Sequence, residues 1–142
     1  MRRALKQYQN FNLEAEINSA SPYRITQMLF EGCIRFLKLA KVAVNNKDFE
    51  KKAEYISKAE AIIASLAATV DTSHSEDLGS NLINLYDFCL ESLLAASVEM
   101  NADKIDAVEK IISEIKAGWD QIPQEEVARS EMIRQQNSHA AE

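Results

Sequence analysis

From Ser21 onward the apolar positions fall at helical spacing in four blocks separated by short polar breaks. In the first block, Ile25, Met28, Leu29, Gly32, Phe36, Leu39, Ala40 and Ala43 share one face and read as the core stripe. A second stripe of Phe30, Cys33, Ile34, Leu37 and Val44 runs beside it. Together they make an apolar arc of roughly 240°, where an ordinary surface helix needs little more than about 100°. Ser21-Pro22 starts this helix: the Ser hydroxyl accepts from an orphan backbone N–H, and Pro suits the first helical position, where no donor is needed. Asn45-Asn46 ends it.

The second helix is expected from about Asp48, its cap, to Val70. Its stripe comprises Phe49, Ala53, Ile56, Ala59, Ile63, Leu66, Ala67 and Val70, flanked by Tyr55 and Ile62, with Glu60 at the stripe's margin. The run 71–77 is polar and rich in cap formers, which marks a loop. The third helix, about Asp77 to Met100, repeats the surplus of the first. Leu78, Leu82, Leu85, Cys89, Leu93, Ala96 and Met100 form the core stripe, Ile83, Leu90, Leu94 and Val98 a second, and Tyr86 falls next to both. A fourth helix, capped by Asp103 and ending between Gly118 and Ile122, carries one clean stripe of Ile105, Val108, Ile111, Ile112, Ile115 and Trp119. Four helices joined by short connectors predict an all-α, antiparallel up-down-up-down bundle over 21–122. Residues 1–20 carry sparse anchors, Tyr8, Phe11 and Ile17 among them, and read as an arm lying on the bundle. Residues 123–142 have little to bury and read as a tail, partly helical or disordered.

Composition narrows the function. Three glycines and two prolines in 142 residues are too few for the turns of an all-β chain. A net charge of −6, with Lys and Arg scattered among carboxylates, argues against nucleic acid as the main partner. No signal peptide or membrane-length apolar run is present, so a cytoplasmic protein that is not membrane-embedded is expected. Cys33 and Cys89 both fall inside apolar helical patterns and read as buried thiols, not a disulfide or zinc site.

Catalytic and cofactor chemistry finds no purchase. A di-iron bundle needs inward Glu-x-x-His pairs, but the only histidines are His74 in the loop and His139 in the tail. Met28 and Met100 suit core filling better than haem ligation. No nucleophile has a base in a described motif. The expectation is no enzyme, no metal and no cofactor. The second stripes of the first and third helices remain to be covered, by the arm, the tail or simply a wide core, by another amphipathic chain, or by a second copy in a homodimer.

Several residues carry a family resemblance. Tyr8, then Ser21-Pro22, then Met28-Leu29-Phe30-Glu31-Gly32 and Ala40, then Asn81-Leu82, Leu85-Tyr86 and Ala96, and finally Trp119, stand in an order that resembles the FliS family of flagellin-specific export chaperones. Phe30 departs from the family's usual tyrosine, losing a hydroxyl but not the apolar role. The tail from Gln124 has no counterpart. The resemblance implies a cytoplasmic bundle, monomeric or weakly dimeric, that binds the C-terminal segment of flagellin, prevents its premature polymerisation and helps deliver it to the flagellar type III export apparatus. On this reading Phe30, Ile34, Leu37, Val44, Ile83, Tyr86, Leu90 and Leu94 touch the client. Tyr8, Phe11 and Ile17 then act as a lid or dock on the export gate. The alternative is a homo-oligomeric bundle with no flagellin client.

Overall fold

The structure, a computed structural model, describes residues 19–70 and 76–140. Five helices make up the described residues: α1 (Pro22–Asn45), α2 (Phe49–Ala68), α3 (Glu76–Glu99), α4 (Ala102–Asp120) and α5 (Gln124–Ala140). Close packing joins α1 to α2, α2 to α3, α3 to α4 and α4 back to α1, the closed ring of an antiparallel four-helix bundle. The seam between α2 and α3 therefore lies across the bundle from the seam between α1 and α4.

Side-chain caps set the helix starts. Ser21 Oγ accepts from Arg24 N at 3.2 Å, with Pro22 opening the helix. Asp48 Oδ1 accepts from Lys51 N at 3.1 Å. The cap of α4 is Asn101, not Asp103: its Oδ1 takes the N–H groups of Asp103 and Lys104 at 3.0 and 3.3 Å. Asp103 sits in the first turn, where its charge favours the helix N-terminus. Two tight connections close on left-handed residues, Lys47 at φ 55° and Met100 at φ 53°. After α1 the N–H of Asp48 reaches Ala43 O and that of Lys47 reaches Val44 O, which is the Schellman closure.

The core is built from Phe30, Cys33, Leu37, Ala40 and Val44 of α1, Ile56, Ala59, Ile63 and Leu66 of α2, Tyr86, Cys89, Leu93 and Ala96 of α3, and Ile105, Val108 and Ile112 of α4. For α1 this reverses the expected division. Ala40 and Ala43 are buried as expected, but Ile25, Met28, Leu29 and Phe36 are only half-buried and Leu39 is exposed. The stripe expected to face a partner is the one that faces inward. The reason is that α1 has two lateral neighbours: Phe36 stacks on Tyr55 of α2 at 6.2 Å, while Tyr23 stacks on Trp119 of α4 at 5.2 Å. The centre of its wide arc therefore points at the bundle axis. Phe49 and Leu78, expected in the core, are 62% and 69% exposed. Each lies in the first turns of its helix, where it overhangs the bundle end.

Cys33 and Cys89 are fully buried and free. Burial pushes their thiols up, to about 12 and about 11, so both are neutral core side chains. The residues 124–140, expected as a tail, form α5, with Met132 and Ile133 exposed.

Candidate functional site

The α1–α4 seam is closed by directional bonds. Tyr23 Oη donates to Trp119 O at 2.9 Å, and Trp119 Nε1 donates to Tyr23 O at 3.3 Å, a reciprocal pair on top of the ring stack. Gln27 Nε2 donates to Asp120 Oδ1 at 2.8 Å. Further along, Lys41 Nζ bridges Asp106 at 3.0 Å and Glu109 at 2.5 Å. Glu109 is buried, and the hydrogen bonds that Lys41 donates to it and to Asp106 hold the Lys41 ammonium above the usual lysine range. A shallow hollow of about 420 Å³ on this side is lined by Glu31, Ile34, Ser113, Lys116, Ala117 and Asp120, with Lys116 already paired to Asp120.

The α2–α3 seam differs in kind. Its register is marked by Lys52 Nζ, which donates to Ser97 O at 2.9 Å. Leu94, Leu90 and Ile83 sit three, seven and fourteen residues before Ser97, so they share its side of α3, and Val98 follows Leu94 by one turn. On α2, Tyr55 and Ile62 turn towards α1, where they meet Phe36 and Gly32. Phe49, Ala53 and Glu60 occupy the other flank, beside α3. Leu94 is 63% and Val98 79% exposed, and the exposed Phe49 stands at the same end of the seam, its ring under the Lys52 ammonium that reaches Ser97 O. Leu90 packs half-buried against the core, and Ile83 is half-buried further along. Apolar area of this kind, in a row at helical spacing, suits an amphipathic helix.

The residues expected to touch a client are thus divided. Phe30, Leu37, Val44 and Tyr86 are buried in the core and present no surface. Ile34 is half-buried on the α1–α4 side, away from the others. Ile83, Leu90 and Leu94 come together on the α2–α3 seam. Tyr8, Phe11 and Ile17 lie outside the described residues. Phe49 and Val98 are the contributors that the client-contact set omitted: Val98 shares the second stripe of α3, and Phe49 follows the Asp48 cap directly, a place where a helix has not yet reached its neighbour. Among the described residues no group of three or more His, Cys, Asp and Glu is placed to hold a metal ion. None of the helices described is long and apolar enough to cross a membrane.

This arrangement has relatives. Residues 4–126 match the family model described as flagellar protein FliS. The chain is 36% identical over 125 residues to the flagellar secretion chaperone FliS of Vibrio cholerae, covering 88% of this chain and 92% of that protein. It is 32% identical to FliSB of Pseudomonas aeruginosa, covering 84% and 95%, and 34% identical to FliS of Salmonella typhimurium, covering 83% and 88%. Its fold is similar to the crystal structure of a bacterial flagellar chaperone, with a TM-score of 0.64 at 20% identity over 82% of this chain and 94% of that one. A FliS-type bundle with the family's sequence along most of its length is what these residues build, and the chain belongs to the FliS family of flagellar secretion chaperones.

Proposed function

We propose that this chain is a cytoplasmic, non-catalytic export chaperone that binds the C-terminal segment of flagellin, keeps it from polymerising early and helps deliver it to the flagellar type III export apparatus. The observation that supports this reading is the open apolar surface of the α2–α3 seam, Phe49, Leu94 and Val98, in a member of a family of secretion chaperones. A client that becomes helical as it binds must offset its own ordering entropy, and a row of apolar anchors at helical spacing supplies the burial to do so. The stiff, hydrogen-bonded α1–α4 side keeps the platform in shape while the client adapts. Calorimetric titration of the protein with a peptide of the flagellin C-terminal segment tests the reading. Saturable binding with a negative heat-capacity change is the expected result; no heat of binding, together with concentration-dependent self-association in sedimentation, would turn the same surface into a homodimer face instead.

A further inference from the structure

We infer that Glu60 is a specificity determinant of the α2–α3 groove, selecting clients whose docked helix carries one lysine or arginine within an otherwise apolar face. This rests on the groove being the client site. Glu60 follows Ile56 by one turn on the flank of α2 beside α3, midway along the seam, and is half-buried. Neither an ion pair nor a hydrogen bond reaches its side chain among the described residues. The three lysines of α2 are engaged elsewhere: Lys51 and Lys58 pair with Glu54 and lie over the Tyr55 and Phe36 rings on the α1-facing flank, and Lys52 donates to Ser97 O. Burial alone raises its carboxyl above the usual carboxylate range, with no neighbouring charge contributing.

In the free protein water still reaches this carboxylate. A helix laid along Ile83, Leu90, Leu94 and Val98 would strip that water away, and a wholly apolar client face would then leave a carboxylate covered and unpaired. A lysine or arginine removes this conflict, because its methylene stem packs along the apolar groove while its charged end meets Glu60. The groove's apolar residues thus supply area, and the single acid supplies register and discrimination, since a client shifted by a turn would put a methyl where the cation belongs.

The test is a double-mutant cycle, read by fluorescence anisotropy, between the chaperone and a labelled flagellin C-terminal peptide. Each basic residue of the peptide is replaced in turn by methionine and titrated against wild-type protein and against Glu60→Leu, with Leu94→Asp as the control for the groove and a melting curve for each protein variant. The expected result is one peptide substitution that weakens binding about tenfold to wild type and less than about twofold to Glu60→Leu. If no substitution shows a Glu60-dependent loss while Leu94→Asp still abolishes binding, the selection role is overturned and the client reading stands. Failure of wild type to bind the unmodified peptide overturns both.

Discussion

The α1–α4 and α2–α3 seams face each other across the same bundle and are sealed by different forces. On the first, the Tyr23–Trp119 stack, its two reciprocal hydrogen bonds and the Lys41 bridge to Asp106 and Glu109 fix position and leave few apolar groups unsatisfied. On the second, Lys52 to Ser97 O is the single cross-seam hydrogen bond among the described residues, and Phe49, Leu94 and Val98 stand open. The contrast teaches how one small fold serves two ends: directional polar contacts can hold helices together without needing a further layer, whereas an apolar margin is satisfied only when something covers it.

Four experiments bear on that contrast, the severest first. Ile112→Asp places a carboxylate at a fully buried α4 position and should cost at least about 4 kcal/mol, enough to abolish the cooperative melt in circular dichroism. Lys41→Met leaves Glu109 covered with only the 4.0 Å contact to Lys38, and should lower stability by about 2 kcal/mol in urea titration. The sign of its pH dependence follows from the two shifted groups. Hydrogen bonds from Lys41, then Lys110, depress the Asp106 carboxyl, so its contribution is present above the ordinary carboxylate value near pH 4 and fades as pH falls through the lower folded value. The raised Lys41 value means the ammonium's share persists up to about pH 10 and is lost only beyond. The gap between wild type and Lys41→Met should therefore be flat from about pH 5 to 9 and shrink in acid.

On the other seam, Val98→Asp should leave the melt within about 0.5 kcal/mol of wild type yet weaken flagellin-peptide binding at least about tenfold. A large loss of stability there would show that Val98 is structural and erase the contrast. The smallest effect is expected at the α1–α2 turn, where Lys47→Gly relieves a left-handed non-glycine residue and should add about 0.5 kcal/mol without touching either seam or the binding isotherm.

Helix positions were readable because Ser21-Pro22, Asp48 and the 71–77 run punctuate clear 3.6-residue patterns. Which part of a wide apolar arc points inward was not. On α1 a wheel shows that Phe30 and Phe36 are both apolar, but the arc's centre is set by where α2 and α4 stand, and that depends on Tyr55 and Trp119, far away in sequence. For the same reason Ile34→Asp and Leu90→Asp would disturb packing as well as any client contact, since both residues pack against the core. On α3 the second stripe was legible as a surplus, and Leu94 and Val98 carry it. Phe49 is harder to read because it falls at the α3-side margin of the apolar stripe, and both that flank position and its place in the first turn expose it.

The two thiols at the centre of the bundle have one more consequence. Cys33 and Cys89 are sealed from solvent and held neutral, so an alkylating reagent cannot modify them in the closed bundle. Their rate of labelling then counts excursions in which α1 and α3 part company, and the chain carries its own stopwatch for breathing, one that needs no engineered probe and that a bound client should slow.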